Sequence, residues 1–208
     1  MSKVLLINGS PHKNGCTFTA LSEIATTLEA QGVESEIYWI GNKPFGGCRA
    51  CYGCKKGNGC MFDDGGVNEI GQRLDEFDAI VLGSPVYYAS PAGQLLSFAD
   101  RLWYSYGKKM AGKVGAAVVS CRRGGASASF DALNKYFSIC NMPIATSQYW
   151  NQVHGSTPED VKKDEEGMQT MRTLALNIAW MLKCIEAGKK AGVELPVYEQ
   201  KIFTNYIR

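Results

Sequence analysis

The chain has 208 residues, which suits a single domain with an ample core and is too short for two independent catalytic domains. Its 22 lysines and arginines nearly balance its 20 aspartates and glutamates, so the net charge of +2 provides no broad basic face for nucleic acid or an acidic membrane. The apolar run after Met1 is too short for a signal peptide or a membrane span, and we expect a cytoplasmic protein whose eight cysteines stay reduced.

Apolar runs that alternate with helical patterns predict the fold. Such runs are typical of strands buried on both faces of a parallel sheet. The predicted strands are 3–7, 33–40, 79–83, 114–120 and 142–150. The predicted helices are 17–31, 66–76, 91–105, 126–139 and 158–187. This alternation predicts one α/β domain over 1–208, a doubly wound five-stranded parallel sheet in the order 2-1-3-4-5 with helices on both faces. A cysteine-rich insertion at about 44–62 and a C-terminal tail at 193–208 complete the chain.

The loop after the first strand, "NGSPHKNGCTFTA" (8–20), has the composition of an anion site. In this strand order ligands bind at the carboxyl ends of the first and third strands, so we expect it to meet loops 83–93 and 120–129. Its glycines and polar side chains lie beside the free N–H groups of a helix start, which bind phosphate. The loop matches neither the dinucleotide fingerprint nor the P-loop, so a monophosphate fits better. An ordinary capped turn would use the same residues.

The other two loops offer surfaces for a planar ring. Loop 83–93 carries adjacent tyrosines, which either face a ligand or pack on the following helix. Loop 120–129 carries two glycines, which let the backbone approach a ligand, and two arginines, which either stabilise negative charge on a reduced ring or are solvated. The residues concerned are Tyr87 and Tyr88, Arg122 and Arg123, and Gly124 and Gly125.

Four cysteines follow the pattern C-x2-C-x2-C-x5-C within 48–60. Two-residue spacing turns successive thiolates toward one centre, and the glycines between them let the chain fold back around it. The spacing suits an iron–sulfur cluster, whereas structural zinc more often pairs two C-x2-C units across a longer gap. Free thiols are the main alternative, and disulfides are disfavoured in the cytosol. The four are Cys48, Cys51, Cys54 and Cys60.

Two stretches within residues 1–155 resemble the flavodoxin-like NAD(P)H-dependent FMN reductase family, "INGSPHKNGCT" after the first strand and "AIVLGSPVYYASPAGQLLSFADR" around the third. With the cysteine run, the chain resembles the iron–sulfur flavoproteins of that family. The resemblance implies bound FMN, and for the four cysteines it implies a 4Fe–4S cluster. It places the FMN phosphate at Ser10, His12, Asn14, Cys16 and Thr17. It places the isoalloxazine ring against Pro85, Val86, Tyr87, Tyr88, Cys121, Arg122, Arg123, Gly124 and Gly125.

The resemblance also implies a reaction. NAD(P)H, as a transient co-substrate, would give hydride to FMN, and the electrons would pass to a small-molecule or protein acceptor. The alternatives are an electron carrier without its own nicotinamide site and a two-electron quinone or nitro-compound reductase. We assign no acid, base or nucleophile, and His154 either lines the flavin edge or a substrate pocket or satisfies its own loop. We expect a homodimer or homotetramer, with neither nucleic acid nor a membrane as partner.

Overall fold

The computed structural model describes residues 2–57 and 59–206 and contains a β-sheet between two layers of helices. The strands are β1 (Lys3–Asn8), β2 (Glu34–Trp39), β3 (Ala79–Tyr87), β4 (Ser90–Pro91), β5 (Val114–Cys121) and β6 (Gln152–His154). The helices are α1 (Cys16–Ala30), α2 (Val67–Arg73), α3 (Gly93–Tyr106), α4 (Ala126–Ser138), α5 (Pro158–Lys163) and α6 (Glu165–Lys190). Short 3-10 turns lie at Gly53–Lys56, Leu74–Glu76 and Gly107–Lys109.

The main path of the sheet runs β2-β1-β3-β5-β6, and the pairings along it are parallel. The two-residue β4 lies off this path and pairs antiparallel with the end of β3. Counting only the parallel strands, this is the predicted order 2-1-3-4-5, so the doubly wound α/β fold is confirmed. The order reverses between β1 and β3, which places the ligand crevice of such a sheet at their carboxyl ends.

Alternating side chains of the strands supply two separate cores. In β1, Leu5 and Ile7 face the core formed with α2, α3 and α4, and Val4 and Leu6 face the core formed with α1 and α6. All four side chains are fully buried. Both faces of the strand are therefore apolar, which explains why the sequence reads as a continuous apolar run.

The fifth parallel strand lies later than the sequence predicts, and the assignment of a strand to 142–150 is wrong. That segment forms an isolated parallel bridge between Gly115 and Ile144. The pairing then breaks because the buried Asn151 side chain donates to the Ala117 carbonyl at 3.0 Å, where a strand backbone would donate. Regular pairing resumes in β6.

The predicted helix 158–187 is two helices, α5 and α6, separated at Asp164. The backbone of Asp164 leaves the helical region, with ψ of 81°, and its side chain accepts from the Gly167 N–H as the N-cap of α6. Thr157 and Asp160 form a capping box that starts α5. The other four predicted helices are found within about two residues of their predicted starts. No helix within residues 2–57 and 59–206 is long and apolar enough to cross a membrane.

Candidate functional site

Three loops meet at the carboxyl edge of the sheet, as the strand order predicts. The hydroxyl oxygens of Thr17 and Ser120 lie 2.9 Å apart and join the start of α1 to the end of β5. A Cβ atom added to Gly125 would lie 2.7 Å from the Cα atom of Ala89, so the third loop packs directly on the second. The edge is therefore one continuous surface built from all three connections.

Asn8, fully buried at the end of β1, shapes the first loop from inside. Its Nδ2 donates to the Lys13 carbonyl at 2.9 Å, and its Oδ1 accepts from the Ser10 N–H at 3.1 Å. The Ser10 hydroxyl in turn accepts from the His12 N–H at 3.1 Å. The Ser10 side chain is thus engaged within the loop, whereas the side chains of His12 and Asn14 are exposed.

Helix α1 begins behind this loop with an open N-terminus. Gly15 is the N-cap residue, and no side chain of the described chain caps it. The first-turn N–H groups and the helix dipole therefore favour an anion at this end. The side chains of the first turn point elsewhere: Thr17 contacts Ser120, and the Cys16 thiol donates to the Gly155 carbonyl with a sulfur–oxygen distance of 3.7 Å. Burial raises the pKa of the Cys16 thiol, which keeps it neutral.

The second loop is a β-hairpin with a strained tip. Its turn residues Tyr88 and Ala89 have φ of 50° and 59°, a left-handed backbone that is costly for residues with a side chain. Pro85 and Val86 are half-buried, and Tyr87 and Tyr88 are exposed. Tyr88 therefore faces solvent at the tip instead of packing on α3.

The third loop follows the buried Cys121 at the end of β5. Its thiol donates to the Arg123 carbonyl with a sulfur–oxygen distance of 3.6 Å, and burial raises its pKa. Arg122, Arg123 and Gly124 are exposed. Gly125 has φ of 91° and is the N-cap residue of α4. The loop presents backbone and two guanidinium groups beside the hairpin.

Trp39 is a residue of this edge that the sequence reasoning did not identify. Its indole Nε1 donates to the Ser10 carbonyl at 2.7 Å, and the Lys13 ammonium lies 5.7 Å from the centre of its ring. Trp39 ends β2, so its position at the carboxyl end of a predicted strand could have placed it at this site from the sequence. Its hydrogen bond ties the first loop to the end of β2.

His154 lies at the end of β6, next to Cys121 in the sheet. Its backbone N–H donates to Asp164 Oδ2 at 2.6 Å, and its imidazole Nδ1 lies 3.7 Å from the same oxygen. The side chain is 43% exposed. The contact with Asp164 supports the interpretation of His154 as a residue that satisfies its own loop.

The cysteine run lies between β2 and α2 and packs on α3. Cys48 and Cys51 are exposed, Cys54 and Cys60 are half-buried, and all four are free thiols. Burial raises the pKa of the Cys54 thiol, and Cys60, Cys48 and Cys51 raise it further when they are ionised. Within 2–57 and 59–206, however, no three ligating side chains are gathered around one point.

The end of the cysteine run is held tightly. The Cys60 N–H donates to Asn68 Oδ1 at 2.8 Å, and Asn68 Nδ2 donates back to the Cys60 carbonyl at 2.9 Å. Gly59 has φ of 81°, and a Cβ atom there would lie 2.2 Å from the Tyr106 hydroxyl. The four free thiols have the number and type of donors that a four-thiolate cluster needs, and the backbone of the last one is fixed by Asn68.

Sequence comparisons identify relatives along most of the chain. The model of the NADPH-dependent FMN reductase family matches residues 2–156. An iron–sulfur flavoprotein of Methanocaldococcus jannaschii is 32% identical over 193 residues, which cover 88% of this chain and 99% of the relative. An iron–sulfur flavoprotein of Methanosarcina thermophila is 27% identical over 90% of this chain and 98% of its own length.

Solved structures with low sequence identity share the fold. The NAD(P)H:quinone oxidoreductase of Methanothermobacter marburgensis superposes with a TM-score of 0.65 at 15% identity, over 86% of this chain and 96% of that one. A flavodoxin from the domain Archaea superposes with a TM-score of 0.59 at 16% identity, over 88% and 99%. Together with the two sequence relatives, the match over residues 2–156 shows that this chain belongs to the NADPH-dependent FMN reductase family and to its iron–sulfur flavoprotein subgroup.

Proposed function

We propose that this protein is an FMN-dependent oxidoreductase that takes hydride from NAD(P)H and passes the electrons to a second acceptor. The observation that carries the proposal is the meeting of three loops in front of the open N-terminus of α1, in a chain of the FMN reductase family. When bound, FMN would supply the hydride and electron chemistry, and the protein would supply binding, orientation and electrostatics.

The first loop would hold the FMN phosphate. The amides at the start of α1 are its natural donors, because the helix dipole and the uncapped N–H groups favour an anion there. The exposed side chains of His12 and Asn14 can add contacts from the solvent side. The inward-turned side chains of Ser10, Cys16 and Thr17 shape the loop, so these three residues would contribute mainly through their backbone.

The hairpin and the third loop, which pack on each other, would together form the surface against which the isoalloxazine ring lies. The hairpin would offer Pro85, Val86, Tyr87 and Tyr88, and the third loop would offer Cys121, Arg122, Arg123, Gly124 and Gly125. The exposed guanidinium groups would stabilise negative charge on the reduced ring, and the glycines would allow close approach of backbone N–H groups.

The cysteine loop would hold a 4Fe–4S cluster through Cys48, Cys51, Cys54 and Cys60. The support is the donor set: four free thiols lie on one loop, and Asn68 fixes the backbone of the last of them. The loop lies on α3, which starts directly after the β3–β4 hairpin, so the two proposed cofactor sites share one helix. A cluster there would add one-electron transfer to the chemistry of the flavin.

Anaerobic flavin reduction tests the proposed reaction. The first loop lacks a dinucleotide fingerprint, so the nicotinamide cofactor should bind transiently beside the exposed hairpin. NADPH or NADH should bleach bound FMN without an acceptor present, and steady-state kinetics should give the parallel double-reciprocal lines of a ping-pong mechanism. Intersecting lines would contradict alternating donor and acceptor binding, and flavin that neither cofactor bleaches would indicate an electron carrier.

The phosphate assignment predicts the effect of Asn14→Asp. A carboxylate at this exposed position would repel the FMN phosphate and should weaken FMN binding about tenfold, which corresponds to a repulsion of about 1.4 kcal/mol between partly solvated charges. Flavin fluorescence titration of the apoprotein measures the dissociation constant. The matched control is Asn141→Asp, an exposed asparagine that follows α4 at the opposite edge of the sheet. Equal FMN affinity in both variants would place the phosphate elsewhere.

A further inference from the structure

Arg101 on α3 is a buried cation to which the proposed reaction gives no role. Its side chain is 1% exposed. Arginine is seldom buried to this extent unless partners satisfy its five N–H donors. The identity of those partners therefore indicates what the residue does.

The described hydrogen-bond partners of the Arg101 side chain all lie between residues 46 and 64. Nε donates to Cys60 Sγ at 3.3 Å, and Nη1 donates to the Gly46 carbonyl at 3.1 Å. Nη1 also lies 2.7 Å from Asp64 Oδ1, and Nη2 donates to the Phe62 carbonyl. One guanidinium group thus ties both ends of the cysteine loop to α3.

This arrangement acts on the first and last cysteines of the run. Gly46 precedes Cys48 by two residues, and Cys60 is the last cysteine. Asn68 fixes the backbone of Cys60, whereas Arg101 contacts its sulfur atom. Arg101 is therefore placed to set where the Cys60 sulfur points.

The same contact has an electrostatic consequence. Hydrogen bonds to cysteine sulfur and the net charge of the surroundings are among the factors that set the reduction potential of an iron–sulfur cluster. A buried cation acts more strongly than an exposed one, because water does not screen it. Lys55 and Lys56 of the same loop are exposed and would contribute less.

We infer that Arg101 is a positioning residue of the cysteine loop: it orients the Cys60 sulfur for ligation and raises the reduction potential of the cluster. This inference rests on the proposed function, which places a 4Fe–4S cluster on Cys48, Cys51, Cys54 and Cys60. Asp64 lies on the far side of the guanidinium as a half-exposed counter-charge, with a 50% exposed side chain. It should partly offset the effect of Arg101 on the cluster.

The test compares four variants prepared without oxygen with wild type. Arg101→Met removes the charge and the donors, Arg101→Lys keeps the charge but loses the planar fork, and Asp64→Asn removes the counter-charge. Arg49→Met is the matched control, because Arg49 is an exposed cation of the same loop whose guanidinium lies 4.5 Å from the Phe62 ring. Iron and sulfide per chain, FMN per chain and the cluster potential from an EPR-monitored redox titration are measured.

Arg101→Met should lose most of its iron while keeping FMN, since the flavin loops lie on other segments. Arg101→Lys should keep part of its iron, and its cluster potential should shift to more negative values. Asp64→Asn should keep its iron and shift the potential the opposite way, which loss of loop structure alone would not produce. Arg49→Met should match wild type in all three measurements.

Retained FMN shows that a variant has folded, so loss of iron is not confused with misfolding. Full iron and a wild-type potential in both Arg101 variants would overturn the inference and leave the proposed cluster intact. Equal shifts in Arg49→Met and Arg101→Lys would also overturn it. Iron-free wild-type protein would overturn the proposed cluster, and with it the basis of this inference.

Discussion

Two adjacent glycines at the third loop have different surroundings and therefore different tolerance of a side chain. Gly125 has φ of 91°, and a Cβ atom there would lie 2.7 Å from the Ala89 Cα. Around Gly124, a Cβ atom would meet no described atom within 4 Å, and its backbone is outside the left-handed region. The contact between the third loop and the hairpin thus depends on Gly125 and not on Gly124.

We expect Gly125→Ala to lower the free energy of unfolding by about 1–3 kcal/mol, because left-handed backbone is strained for alanine and the added methyl meets main chain that cannot rotate away. FMN content should fall as well, since the hairpin and the third loop are pushed apart. Urea unfolding and flavin content on gel filtration measure the two effects. Gly124→Ala is the control and should change stability by less than about 0.5 kcal/mol. Similar losses in both variants would mean that the contact does not distinguish the two positions.

At the scale of elements, the junction between α5 and α6 connects the long C-terminal helix to the edge of the sheet. The Asp164 carboxylate accepts from the Gly167 N–H at 3.0 Å and from the His154 N–H of β6 at 2.6 Å. One side chain thus caps α6 and satisfies the last residue of the short edge strand. The position of β6 beside Cys121 therefore depends on how α6 begins.

Asp164→Ala should destabilise the protein by about 1–2 kcal/mol, since it removes an N-cap and leaves the His154 N–H without this partner. Thermal or urea unfolding measures the change. The control is Asp131→Ala, an exposed aspartate within α4, for which we expect a change within about 0.5 kcal/mol. A loss in Asp164→Ala no greater than in the control would show that the cap does not stabilise this junction.

At the scale of the whole molecule, the candidate site and the main ion-pair network lie in different parts of the sheet. The candidate site lies at the carboxyl ends of the strands, and the ion-pair network lies on the outermost strand β2 and the start of β1. Glu36 of β2 contacts Arg73 at 2.7 Å and Lys3 at 3.0 Å. Hydrogen bonds from Arg73, together with Lys3, hold the pKa of Glu36 below its usual value of 4.5 in spite of partial burial.

This network predicts a pH-dependent contribution to stability. A carboxyl whose pKa is lowered by folding stabilises the protein above its unfolded pKa, and the contribution is lost as the pH falls through the folded pKa. The difference in unfolding free energy between wild type and Glu36→Gln should therefore be constant above about pH 5 and shrink below pH 4.5. Urea midpoints at a series of pH values measure it, and Glu34→Gln, exposed on the same strand, is the control. A difference that stays unchanged down to pH 3 would contradict the role of Glu36.

Local sequence patterns were sufficient for the strand order and for most elements. Both faces of β1, β3 and β5 are buried, so each of these strands appears in the sequence as a continuous apolar run. The break between α5 and α6 at Asp164 could also have been predicted from the local sequence, because an aspartate followed by an acidic first turn is typical of a helix start. The strand assigned to 142–150 failed because the buried amide of Asn151 replaces a backbone donor, which alternation of apolar residues does not reveal.

Local patterns in the sequence were sufficient to predict the α/β class, the loops that follow the first, third and fourth strands, and the cysteine pattern, since each depends on residues close together in the chain. Which of these residues touch depends on the tertiary structure. Thr17 and Ser120 are 103 positions apart, and Arg101 lies 41 positions from Cys60. In the sequence Arg101 is one charged residue within a predicted helix. Periodicity shows which face of that helix is apolar, but it does not show which distant segment of the chain covers the polar face. The path of the chain over α3 is what turns that arginine into a buried contact of the cysteine loop.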